Sequence, residues 1–168
     1  MRAAGIILAV AAALALQTTL SRYVRGTVAL NLVLVVVVYV ALTWGPVTGL
    51  LTGTFAGLVQ DLLSIGVIGI GGLAKTLVGF LTGIVGTQFI VAQPLPRFCV
   101  FFGATLVHEL IFMGLYTLLD LRQFGSPYAS VAGQAAGNAA VGVVAFQLVE
   151  LLPGAVERRR AAKGRLRR

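Results

Sequence analysis

Four ionisable side chains stand in stretches that are otherwise almost wholly apolar: Asp61, Lys75, His108 and Glu109. Placing such a group inside a bilayer costs about 2.5 to 3.5 kcal/mol on insertion scales, so each needs a partner or water. Asp61, with Gln60 beside it, and Lys75 lie near facing ends of two consecutive apolar segments, and an antiparallel hairpin brings them to similar depth. The expected arrangement is a salt bridge or a water-bridged pair that fixes the register of two helices, with a ligand or proton site as the sharper alternative. Glu109 falls about halfway along its segment and must face protein or water. Its two readings are a neutral acid hydrogen-bonded to a neighbouring helix and a proton relay. His108 precedes it and points about 100° away around a helix, so the two need not share a partner.

Other chemistries find no support. His108-Glu109-Leu110-Ile111-Phe112 lacks the second histidine of a His-Glu-x-x-His zinc motif, and no cluster of Cys, His and Asp compensates, so no metal is expected. The serines at 21, 64, 126 and 130 fall at segment ends or turns, without the base that nucleophilic catalysis needs. Gly71-Gly72-Leu73-Ala74-Lys75-Thr76 has the wrong spacing for a phosphate-binding loop. Cys99 is alone and cannot form an internal disulfide. No catalytic residue and no cofactor are expected, and the chain reads as a non-enzyme.

The elements that must hold these residues are dictated by composition. Of 168 residues, 58% are hydrophobic and 11% charged, against about a quarter charged in soluble domains. That places the chain among all-α integral membrane proteins. A hydrocarbon core about 30 Å thick takes roughly 17 to 25 apolar residues per helix. Cutting at Pro, Gly and Arg gives six spans, at about 3–20, 28–44, 46–63, 73–92, 98–119 and 128–152, within a transmembrane domain of residues 1–156. Gly45-Pro46 makes a tight turn into the third. Residues 64–72, SIGVIGIGG, are expected to be irregular. Gln93-Pro94-Leu95-Pro96 is expected to stop the fourth helix, and Pro153-Gly154 the sixth. A cleaved signal peptide at Ala13-Leu14-Ala15 is the alternative for the first span, but the apolar run continues past that point.

The net charge of +8 is mostly a tail: Arg158, Arg159, Arg160, Lys163, Arg165, Arg167 and Arg168 make seven of the thirteen basic residues. Without aromatic or groove-reading motifs this is no nucleic-acid signal; it is expected to mark cytoplasm and touch anionic lipid. Six spans put both termini on one side, where Arg2 and Arg97 join the tail against Arg22, Arg25 and Arg122 opposite. The termini are therefore expected to be cytoplasmic.

Small residues recur at helix-packing spacing. Gly49, Gly53 and Gly57 repeat every fourth position in the third span, Gly79 and Gly83 in the fourth, and Gly133 and Gly137 in the sixth, where Gln134 and Asn138 offer interhelical hydrogen bonds. Such faces serve internal packing or an intramembrane partner, with internal packing the better-supported use.

The stretch 49–83, GLLTGTFAGLVQDLLSIGVIGIGGLAKTLVGFLTG, resembles the central hairpin of the rod-shape-determining MreD family. The matching features are Gly57-Leu58 before Gln60-Asp61-Leu62, the Gly69 turn, and Leu73-Ala74-Lys75-Thr76 leading to Gly79-Phe80. The basic tail and His108-Glu109 do not map onto the family. The resemblance implies a bacterial inner-membrane component of the cell-wall elongation machinery. It would act with a single-span MreC-like protein, actin-like MreB, and the peptidoglycan polymerase and transpeptidase pair. It further implies a fold similar to the six-helix substrate-binding subunits of energy-coupling-factor transporters, and draws attention to Gly57, Gln60, Asp61, Gly69, Lys75 and Gly79. The expected function is a non-enzymatic scaffold whose small-residue faces dock the partner's transmembrane helix, with a second copy of the chain as a further partner. A small-molecule binding or transport subunit is the alternative; a proton or ion channel through Gln88, Gln134 and Asn138 ranks last.

Overall fold

The computed structural model describes residues 2–23, 30–64, 66–89, 93–121, 125 and 128–165; within these, the side chains of residues 2, 21–23 and 152–165 are left aside. Arg25 and Arg122, two of the three basic residues expected opposite the termini, and Arg167 and Arg168 of the tail lie outside the described residues. The described residues form six helices: α1 (Arg2–Tyr23), α2 (Leu32–Trp44), α3 (Pro46–Leu63), α4 (Ile70–Gln88), α5 (Pro94–Leu118) and α6 (Tyr128–Arg165). The chain is an all-α membrane protein. Of these helices α1, α4, α5 and α6 are long and apolar enough to cross a bilayer, whereas α2 is apolar but only 13 residues long.

Helix α2 is the axis of the bundle. Its valine-rich run would suit a strand on propensity, yet Val33, Val35, Val37, Val38 and Val40 are all buried. A helix apolar around its whole circumference is stable only when neighbours cover every side. Here α3, α4, α1, α6 and α5 all pack against it. Asn31 starts it: its side-chain oxygen accepts from the Leu34 N–H at 3.1 Å, satisfying one of the donors that a helix start leaves open.

The closest pairing is α3 on α4, and glycine makes it so. A Cβ placed on Gly53 would strike the Lys75 carbonyl, one on Gly57 the Gly72 Cα, and one on Gly79 the Gly49 carbonyl; one on Gly83 would strike Pro46. The backbones of the two helices therefore touch along their length, as small-residue faces allow in membranes. The glycine repeats of α3 and α4 are spent on this internal seam and are not left open for a partner helix. Helices α5 and α6 form the second pair, with Gly142 against the Phe101 ring, while Gly137 of α6 meets Leu30 just before α2.

Three element boundaries differ from the sequence expectation. Ile70-Gly71-Gly72, expected to be irregular, form the first turn of α4, whose N-cap Gly69 has φ 104°. That left-handed conformation is one glycine adopts without strain. Helix α4 ends at Gln88, and Pro94-Leu95-Pro96 begin α5 instead of merely stopping α4. Proline's missing N–H costs nothing in a first turn, where that donor has no helical partner. Finally, α6 continues through Pro153-Gly154 to Arg165; one lost hydrogen bond does not break a long helix in which the others persist.

Candidate functional site

Two ends of the bundle can be told apart by what they carry. At the tail-side end, α5 begins and α6 proceeds toward Arg165. Here the buried Arg97 guanidinium donates to both carboxylate oxygens of Glu150, at 2.9 Å from Nη1 to Oε2, and lies 4.5 Å from the centre of the Phe146 ring. Arg97, expected as a plain topology charge, thus also clasps α5 to α6. Trp44 and Tyr39 pack edge to face nearby, with centroids 6.5 Å apart.

The opposite end holds a cavity of about 670 Å³. Its floor is Asp61, Lys75, His108 and Glu109, all buried; its rim is Ser64, Gly66, Val67 and Leu121, all exposed. The four ionisable residues singled out by the sequence are therefore gathered into one place by α3, α4 and α5. The volume lies within the range of small-ligand sites, about 300 to 1,000 Å³.

Their partners are not all the expected ones. Asp61 makes no salt bridge to Lys75. One carboxylate oxygen, Oδ2, instead accepts the N–H of Gly69 at 2.9 Å and of Gly72 at 3.0 Å. The last turn of α3 thereby caps the first turn of α4. Ionised acceptors at a helix N-terminus satisfy open donors and meet the positive end of the helix dipole. A left-handed Gly69 turns these N–H groups toward the carboxylate, a feature set by loop path rather than by depth in the membrane.

Lys75 turns to α5, where its Nζ lies 3.3 Å from His108 Nε2. The other ring nitrogen, Nδ1, lies 3.2 Å from Glu109 Oε1. His108 and Glu109 thus touch one another, while their other partners differ, Lys75 for the one and Gln134 of α6 for the other. The two-carbon arm of Glu109 is long enough to fold its carboxyl back to the neighbouring ring. Glu109 Oε1 also accepts from Gln134 Nε2 of α6 at 2.9 Å, which is the expected bond to a neighbouring helix. With Lys75 as an ammonium, which can only donate, the matching His108 tautomer accepts at Nε2 and donates its Nδ1–H to Glu109. The result is a continuous polar chain from α4 through α5 to α6.

Asn138 on α6 adds a tie to the start of α2 and a second one to α5: its Oδ1 accepts from the Asn31 N–H at 2.9 Å and its Nδ2 donates to Thr105 Oγ1 at 3.3 Å. Near the rim, the Tyr116 hydroxyl accepts from the Val67 N–H at 3.2 Å and tethers the α3–α4 loop to α5. Asn31, Phe112 and Tyr116 line the cavity as well. Sequence reading passed over them; Asn31 alone carried a signal, as a capping residue just before an apolar run. Gly133 on α6 is half-buried, one position before Gln134. Gln88, set against Gln134 and Asn138 as a channel wall, ends α4 at the tail side and does not line the cavity. Among the described residues no cluster of three metal-ligating side chains is present.

The family model for the rod shape-determining protein MreD matches residues 3–153, which takes in α2 to α5, nearly all of α1 and α6 as far as Pro153. The chain belongs to that family, and its role lies in the determination of rod shape. No curated protein and no solved structure matches it.

Proposed function

We propose that the chain is a non-enzymatic scaffold of the cell-wall elongation machinery. It sits in the bacterial inner membrane with both termini cytoplasmic and docks the transmembrane region of an MreC-like partner. The observation that carries this reading is the family match over residues 3–153. The fold narrows where docking occurs. Because α3 and α4 close on each other through their glycines, docking falls on outward apolar sides of the bundle and not on the glycine faces, with α1, α5 and α6 offering the most exposed leucines. Leu8, Leu16, Leu110, Leu118, Leu148 and Leu151 all point outward there. MreB, the peptidoglycan polymerase and transpeptidase pair, and a second copy of the chain are the further partners of this reading. The basic tail meets anionic lipid.

A mild-detergent pull-down from the native membrane tests it. Recovery of a single-span MreC-like protein at fixed stoichiometry is the expected result, and substitutions such as Leu110→Arg on the outward face should abolish it. Recovery of an ATPase with a coupling subunit would contradict the scaffold.

A second reading, a small-molecule binding subunit of the energy-coupling-factor type, is favoured by the cavity over Asp61, Lys75, His108 and Glu109. The same pull-down separates the two.

A further inference from the structure

At the cavity end one polar requirement is unmet. Gln60 Oε1 is buried and has no hydrogen-bond partner. Gln60 and Ser64 line two voids at once: the polar cavity of about 670 Å³, and a gap of about 270 Å³ bordered by Leu14, Gln17 and Thr18 of α1 and Leu63 of α3. Thr18 and Leu63 face outward, so the gap reaches the side of the bundle. A polar void and a lateral gap thus share Gln60 in their walls, and its amide oxygen has no partner within the protein.

The lining also selects by its polar groups. The lining holds two carboxyl groups, Asp61 and Glu109, and a single amine, Lys75. Asp61 Oδ2 and Glu109 Oε1 each already take two contacts within the protein, whereas Gln60 Oε1 takes none. An anionic group would enter beside two carboxyl groups, whereas a hydrogen-bond-donating group would find acceptors there.

From this we infer that the cavity binds the head group of an amphiphile that enters sideways between α1 and α3. The head group is uncharged or zwitterionic and donates hydrogen bonds through hydroxyl, amide or primary ammonium groups. Gln60 Oε1 accepts from it at the junction, and the acyl or prenyl chain leaves past Leu14 and Leu63 into the membrane. The inference stands independently of partner docking by the outer faces.

Native mass spectrometry of the full chain in mild detergent, titrated with phosphatidylethanolamine, phosphatidylglycerol and soluble glycerophosphoethanolamine, tests it. Phosphatidylethanolamine should bind about tenfold more tightly than the anionic lipid and than its own soluble head group. Gln60→Leu should weaken that lipid about fivefold, the size of one neutral hydrogen bond. Thr18→Trp, at an outward-facing position, should close the lateral gap and erase the preference for lipid over soluble head group; it keeps the test open should Gln60→Leu misfold. Equal affinity for the two lipids, or a preference unchanged by Thr18→Trp, would overturn the proposal. Tighter binding of the soluble head group than of the lipid would also overturn it, in favour of a water-soluble ligand.

Discussion

Helices α3 and α4 behave differently at their two ends. Toward the tail side, Gly49 meets Gly79 and Gly83 meets Pro46, backbone against backbone, with no space for a methyl group. Toward the other end the same pair, still in backbone contact at Gly57 and Gly72, walls a cavity of about 670 Å³ beside α5, where Asp61 and Lys75 each find partners other than one another. One helix pair therefore supplies both a closed seam and one wall of a polar chamber. Glycine spacing explains the first, because membrane helices lacking a solvent-driven hydrophobic force associate through close packing. Buried charge explains the second, because ionisable groups survive at depth only among partners or water.

Substitutions should separate the two regions. Gly53→Leu is expected to do the greatest damage, about 3 kcal/mol or more, because its side chain would meet the Lys75 backbone, which no rotamer change can clear. Reversible unfolding in mixed micelles, followed by helical circular dichroism, reads this directly. Survival of Gly53→Leu with unchanged stability would dissolve the distinction between seam and chamber.

Asp61→Ala comes next, at about 2 kcal/mol, through two backbone donors left without their acceptor. Asp61→Asn keeps a side-chain oxygen for those donors and should cost less than half as much in the same assay. If Asn proves as harmful as Ala, the negative charge matters more than the cap, and a long-range attraction to Lys75 regains its place.

Asn138→Leu should cost about 1 to 2 kcal/mol, since the Asn31 N–H and the Thr105 hydroxyl both lose a buried partner. The double variant with Thr105→Val should cost less than the sum of the singles, because the two side chains share one hydrogen bond. Glu150→Gln at the tail-side end should move the unfolding midpoint least, as that carboxylate is largely exposed. A larger shift there than at Asn138 would reverse the ranking.

Much of this was legible in the residues, and the rest failed for physical reasons. Spacing of Gly49, Gly53, Gly57, Gly79 and Gly83 announces a packing face, and hydropathy announces helices. Asp61 and Lys75 line one cavity. Their bonding partners were not legible, because they depend on the path of the loop before α4. A left-handed Gly69 aims two N–H groups at Asp61, and nothing in the spacing of charges reports that turn. Similarly, helical angles describe where Cβ atoms point; they do not fix where the flexible arm of Glu109 ends, so its contact with His108 was missed. Pro94 and Pro96 were ambiguous in principle, since proline both ends one helix and begins the next. The cavity itself is a property of three helices together, and only the isolated polarity of its floor was written in the chain.

The most direct test compares accessibility along α3. Cys99 would be replaced by serine, and single cysteines placed at Gln60 in the chamber wall and at Thr52, buried two turns toward the tail side. Spheroplasts would then be treated with a membrane-impermeant maleimide. Rapid labelling of the cysteine at 60 and protection of the one at 52 is the predicted result, for a chamber open to the outer face above a sealed seam. Protection of both positions, or labelling of 60 only from the cytoplasmic side in inverted vesicles, would contradict it.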